Sequence, residues 1–309
     1  MEILMNTTTD GLSLPNTPYT SRAVYLTPSN GFGSQLPPKV PAHIFVAERD
    51  QAFNPATGTA IINLDLSDKL KTAYPATTPN LLARYVRVKA GETQCLNLTT
   101  AGEVYYLLEG AGSIAKGEDL INWVEGDSVC LPGGGETVIT AKDTDCVIYS
   151  VTDEPTLSWH GAESPATKSG PIEAVHYPGD EVMRLLSDVQ QRETEEEMTG
   201  RFVLFTNAGA QTTNTVTRTI SLAINSLEPG GIQTPHRHNA AALTLCLGGS
   251  DVYSMIEGEK VQWQRHAVMV TPPAELHAHH NEGEDMMLSL VAQDGGLFYN
   301  ARAVGFSFD

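Results

Sequence analysis

Basic residues are scarce in this 309-residue chain: 19 Lys and Arg stand against 37 Asp and Glu, a formal net charge of −18. Such a surface repels phosphate backbones and anionic lipid, which argues against nucleic acid and membrane as partners. Cysteine is also rare. Cys95, Cys130, Cys146 and Cys246 form no CxxC pair and lie in apolar, strand-like runs, so they read as small buried thiols. No apolar run approaches the roughly 18 residues of a membrane helix, and Met1 to Asn6 lacks the basic start of a leader, so a soluble, cytoplasmic protein is expected. No GxxxxGK[ST], GxGxxG or GxSxG pattern occurs, which removes phosphate loops and the hydrolase elbow.

What is present is a core. Hydrophobic residues make up 41% and charged residues 18%, and the length fits two domains of about 150 residues each. Residues 1–40, rich in Thr, Ser, Asn and Pro, read as an arm lying on the surface or on a partner subunit. Short apolar runs then alternate with Gly, Pro, Asn and Asp, giving strands at Arg84 to Val88, Val104 to Leu108, Ser128 to Leu131 and Cys146 to Val151. Residues 159–200 read as a linker. Trp159 to Pro178 is polar, and Asp180 to Met198 has helical periodicity, with Asp180 as its cap and Gly200 as its stop. The acidic run Glu193, Glu195, Glu196 and Glu197 reads as a solvated helix face. Strands resume at Phe202 to Phe205, Thr217 to Ile224, Leu243 to Leu247, Val252 to Ile256, Ala267 to Val270 and Met286 to Val291. The expected fold is all-β: barrels at residues 41–158 and 201–309, joined by a linker with one α-helix.

The two halves share one skeleton. In the second, Gly230 precedes His236-Arg237-His238, Ala242 and Gly249; His266 precedes Pro272, Ala274, His277 and Asn281. In the first, Gly91 precedes Asn97-Leu98-Thr99, Glu103 and Gly110; Gly126 precedes Pro132, Gly134 and Thr137. These spacings resemble the two motifs of the cupin family, which place two histidines, a glutamate and a later histidine on neighbouring strands of a jelly-roll barrel. By this resemblance the N-terminal copy has lost its histidines and its metal, since Asn97, Thr99 and Thr137 stand in their places.

Residues i and i+2 of a strand share a face, so His236 and His238 project into the barrel and Arg237 points away. With His277 from a later strand they form a facial set that leaves about three positions open on an octahedral ion. Ala242 stands where the family has its glutamate, so three neutral ligands leave the ion's double charge uncompensated and favour an anionic, chelating substrate. His279 shares the parity of His277 and reads as an acid/base or hydrogen-bond donor; His280 faces out, and His266 occupies a surface turn. Trp123 and Trp263 occupy matching places in the two halves and read as core, with Trp263 also a pocket-wall candidate.

The run Pro235 to Leu243, with Thr271-Pro272 and Leu276 to Asn281, resembles the metal motif of the gentisate and salicylate 1,2-dioxygenases, over roughly Gly200 to Leu297. Those enzymes are bicupins with a three-histidine iron(II) centre that cleave an aromatic ring beside its carboxylate with O2. The resemblance implies iron(II) on His236, His238 and His277, and substrate contact by His279. Three features depart from that family. The metal motif lies in the C-terminal barrel, Thr244 replaces the arginine that holds the substrate carboxylate, and Ala278 replaces an aspartate. Candidate substrate contacts are therefore Thr244, Asn225, Trp263 and Arg218, with Arg201 as a further cation. The leading expectation is an iron(II) dioxygenase acting on a small-molecule substrate and O2 in a homo-oligomer. A Mn, Zn or Ni lyase, isomerase or hydrolase and a non-enzymatic binding cupin stand as alternatives.

Overall fold

A computed structural model describes residues 17–25, 28, 36–166, 170–192 and 200–309. It divides into two compact units, Met1–Pro38 and Lys39–Asp309. The first, whose expected role as an arm falls largely outside the described residues, contributes one turn of 3-10 helix, Thr20–Arg22. Everything else belongs to the second, in which no described helix is long and apolar enough to cross a membrane.

Four antiparallel sheets make up that unit. In the upstream half a six-stranded sheet runs in the order Val175–Tyr177, Ser128–Pro132, Gly102–Glu109, Cys146–Thr152, Leu82–Val88, Ala60–Asn63. It faces a four-stranded sheet of Thr93–Asn97, Glu136–Ala141, Ala111–Lys116 and Asp119–Val124. The downstream half repeats this: His43–Phe45, Val268–Thr271, Ala242–Gly248, Met287–Gln293, Ser221–Leu227 and Arg201–Phe205 form the large sheet. Glu259–Gln262, Val252–Ile256, His277–Asn281 and His236–His238 form the small one, with Phe306–Phe308 added at its edge. The duplicated glycine-proline skeleton thus appears as duplicated strand order.

The edge strands are exchanged between halves. His43–Phe45 pairs with Val268–Thr271 of the downstream sheet, although sequence position assigns it upstream. Val175–Tyr177, inside the expected linker, pairs with Ser128–Pro132 of the upstream sheet. Pairing supplies partners for backbone groups that an open edge would expose.

The two large sheets share a core containing Tyr85, Tyr149, Val104, Leu222, Leu243, Leu245 and Leu290. Leu243 and Leu245 face that core, so Ala242, Thr244 and Cys246 turn into the downstream barrel. The upstream barrel is filled by thirteen buried residues, including Trp123, Tyr105, Ile114 and Leu131. The corresponding downstream cluster has only six: Cys246, Val252, Ile256, Trp263, Met269 and Met287. The smaller filling leaves room for a site.

Turn chemistry follows the motif even where the residue does not. Gly126 and Gly134 have φ of 92° and 79°, and their downstream counterparts His266 and Ala274 adopt 63°. A side chain is strained in this left-handed region, so the turn geometry is kept despite a local cost. His266 does occupy a turn, and it stacks on Phe53 at 4.9 Å.

Several local expectations need correction. The strand expected from Thr217 begins at Ser221, because Thr217 Oγ1 accepts the backbone N–H groups of Ile220 and Thr219 and forms a turn instead. The linker helix runs Gly179–Gln190, with Asp180 in its first turn rather than at the cap; the Asp127 carboxylate, from the upstream barrel, accepts the Gly179 N–H at 2.8 Å. Its stop therefore precedes Gly200, and the acidic run from Glu193 to Glu197 lies outside the described residues. Trp159 sits in a short helix, Glu154–His160. Three cysteines are buried as expected, but Cys95 is exposed on the small upstream sheet, and all four are free.

A candidate metal centre in the downstream barrel

Antiparallel pairing places His236 directly opposite His277. Their ring centroids are 4.3 Å apart, and His238 lies 4.6 Å from His277. The potential ligand atoms of the three residues all fall within 4.8 Å of one another, forming a convergent His/Cys/Asp/Glu cluster among the described residues. Arg237 points away and pairs with Glu257 at 2.7 Å.

Local backbone fixes which nitrogen each ring presents. His236 Nδ1 meets the Thr234 carbonyl at 2.9 Å, His238 Nδ1 the Ala240 carbonyl at 2.8 Å, and His277 Nδ1 the Glu275 carbonyl at 2.9 Å. A carbonyl only accepts, so Nδ1 carries the proton and Nε2 keeps its lone pair in all three. Burial favours the neutral rings. It pushes His238 down to about 4 and lowers His236, and burial together with the neighbouring imidazoles takes His277 down to about 2. Three neutral imidazoles sharing one tautomer and one focus fit a borderline divalent ion such as iron(II), and equally Mn, Zn or Ni.

In the upstream barrel a lysine fills the corresponding space. Lys116 pairs across strands with Thr137, as Ile256 does with His277. Its ammonium lies 2.5 Å from Glu103 Oε1 and donates to Thr137 Oγ1 at 2.9 Å. Tyr105 and Thr137 donate to Glu103 Oε2, each at 2.7 Å, and Glu103 is 0% exposed. The leftover motif glutamate is thus matched by an internal cation, a partner the sequence reading did not find.

The histidines open onto a cavity of about 660 Å³. Its far wall is the inner face of the large sheet, with Asn225, Ala242, Thr244, Thr271 and Gln293. The C-terminal segment completes it with Arg302, Val304 and Phe306, and Phe306 stacks on His236 at 5.3 Å.

Residues 224–292 match the family model described as a cupin domain. A salicylate 1,2-dioxygenase structure from Pseudaminobacter salicylatoxidans superposes with a TM-score of 0.76 over 94% of this chain and 95% of that one, at 12% identity. The fold is that of a bicupin. By sequence, 1-hydroxy-2-naphthoate 1,2-dioxygenase of Nocardioides sp. (strain KP7) is 29% identical over 106 residues, 34% of this chain and 27% of that protein. Gentisate 1,2 dioxygenase 1 of Aquipseudomonas alcaligenes is 25% identical over 119 residues, 38% of this chain and 34% of that protein. The bicupin thus spans about a third or less of the length of these curated relatives.

Around the bicupin's histidines the other candidates separate. His279 lines the cavity at 7% exposure, with its ring 6.2 Å from that of His277. Its Nδ1 is 2.7 Å from Ser254 Oγ, and Trp263 Nε1 donates to the same oxygen at 2.8 Å. The indole can only donate, and the buried Ser254 hydroxyl meets no other acceptor among the described residues, so its hydrogen goes to His279 Nδ1 and the ring's own proton sits on Nε2. Burial pushes His279 down to about 3, so it enters the cavity as a neutral hydrogen-bond donor. Trp263 stands behind His279, edge to face at 5.2 Å, and positions it without being part of the cavity wall. His280 stacks on Tyr253 at 4.7 Å, on the outer face.

Thr244 and Asn225 line the cavity. Arg218 does not: it sits exposed in the turn before Ser221–Leu227. Arg201 is occupied by Glu228. The charged side chain that does line the cavity is Arg302, the left-handed residue closing helix Gly295–Ala301, whose guanidinium donates to Asn300. The sequence carried no signal for Arg302, Phe306, Ser254 or Gln293, because each reaches the site through register or chain reversal rather than motif spacing.

Proposed function

We propose that this bicupin is an iron(II)-dependent dioxygenase that breaks a carbon–carbon bond of a chelating aromatic hydroxy acid of the gentisate or salicylate kind, placing both atoms of O2 in the product. The observation that carries this reading is the convergence of three neutral imidazoles, with no carboxylate among them, on a cavity large enough for an aromatic acid. Bound iron(II) supplies a Lewis acid and an electron relay between substrate and oxygen.

The chain's own residues supply the rest. His236, His238 and His277 hold the ion with no charge compensation, so an anionic substrate binds where a carboxylate ligand would repel it. Arg302 adds the cavity's other positive charge and suits a carboxylate. Phe202 and Phe306 offer apolar faces to a ring, and His279 Nε2–H donates to a substrate oxygen at the floor. Thr244 and Thr271 line the same space, and their buried hydroxyls have no protein partner among the described residues. The matched relatives named for gentisate and 1-hydroxy-2-naphthoate support this substrate class.

The test is an oxygen-electrode screen of anaerobically iron-loaded protein with gentisate, salicylate, 1-hydroxy-2-naphthoate and analogues lacking the carboxylate. One O2 consumed per aromatic acid, with loss of ring absorbance and weaker turnover of the analogues, is expected. No uptake across the acids, or turnover under argon, would replace this reading with a non-oxygenase one.

A further inference from the structure

We propose that Gln293 is a fourth, neutral protein ligand for the ion held by His236, His238 and His277; this rests on the metal reading above. Ala242 occupies the motif position of the missing glutamate, and its direct antiparallel partner is Gln293, at the end of Met287–Gln293. Paired residues project from the same face of a sheet, so the space freed by reducing a glutamate to a methyl group is adjacent to the Gln293 side chain.

Gln293 uses that space. Its terminal amide lies 3.3 Å from His238 Nε2, the nitrogen left free when Nδ1 donates to the Ala240 carbonyl. Two donors in neighbouring positions on one ion, each about 2.1 Å from it, are about 3.0 Å apart. The amide therefore already stands at nearly the separation of adjacent ligands. A half-turn of the terminal amide exchanges its oxygen and nitrogen with little movement, and the oxygen is then the donor that faces an ion. An amide oxygen is a hard donor that cannot hold such an ion alone, but it can complete a shell that three imidazoles already hold, as a weak and labile fourth ligand.

The substitution has a chemical consequence. A glutamate would neutralise one of the ion's two charges; a carboxamide holds the position and neutralises none. Gln293 keeps the centre attractive to an anionic chelator and is itself easily displaced by one.

Cobalt(II) is the probe, titrated under argon into wild-type protein, Gln293→Ala, Gln293→Glu and His236→Ala against a chromogenic chelator. Gln293→Ala should weaken Co(II) affinity at least about tenfold, the lower end of what losing even an outer-shell partner costs. It should also change the visible Co(II) spectrum as a ligand is lost. Gln293→Glu, of the same size, should tighten binding and serves if the alanine variant folds poorly. If both variants keep the wild-type affinity and spectrum while His236→Ala binds nothing, the Gln293 assignment fails and the three-histidine site stands. If the wild-type protein binds no Co(II), the metal reading fails and takes this assignment with it.

Discussion

Replacing His277 with alanine should reduce oxygen-dependent turnover to below about 1% of the wild-type rate, a loss of at least ~2.7 kcal/mol in transition-state stabilisation. His277 faces both other histidines, at 4.3 and 4.6 Å between ring centroids. Removing it leaves two imidazoles from one short strand, which cannot enclose an ion from opposing strands. His279 cannot take over, because its Nδ1 is held by Ser254 and its ring is fixed against Trp263. The matched control is His280→Ala, whose ring lies on the outer face against Tyr253. Steady-state oxygen uptake checks both variants, and equal rates in the two would remove His277 from the site.

The second large effect concerns stability and lies in the other barrel. Lys116→Met should destabilise the fold by about 3–5 kcal/mol, since it leaves the Glu103 carboxylate without its cation in an interior with no access to water. Tyr105 and Thr137 still donate to Glu103, but two neutral hydrogen bonds do not replace a charge. Adding Glu103→Leu to Lys116→Met should recover most of the loss, because a buried pair exchanged for apolar groups of similar volume is often neutral or better. Urea denaturation of wild-type, single and double variants measures this. A single variant within about 1 kcal/mol of wild type would show that the buried pair does not hold the upstream barrel together.

The fold was readable because its turns are written in glycine and proline. Gly91 and Gly230 have φ of 73° and 74°, and Gly110 and Gly249 have 95° and 104°. These positions admit few other residues, so their spacing survives in sequence. The convergent histidines were readable for a related reason: strand parity sends His236 and His238 one way and Arg237 the other.

Other features are not local. Lys116 matters because it lies opposite Thr137, and no spacing rule along the chain reveals a cross-strand pair. Gln293 likewise depends on its pairing with Ala242. Arg302 and Phe306 arrive through a helix and a final strand that closes over His236–His238. Arg218 was misplaced because Thr217 diverts its own backbone into a turn, an effect its strand-like neighbours concealed. His43–Phe45 joined the other half's sheet because open edges seek partners in space rather than in sequence.

The central claim is that the downstream barrel holds one ion through three imidazole Nε2 atoms. X-ray absorption at the metal edge of anaerobically iron-loaded protein tests it most directly. The account predicts one ion per chain with about three imidazole nitrogens near 2.1 Å, and loss of the bound ion in His236→Ala. An ion whose first shell contains no imidazole, or one that survives that substitution unchanged, would contradict it.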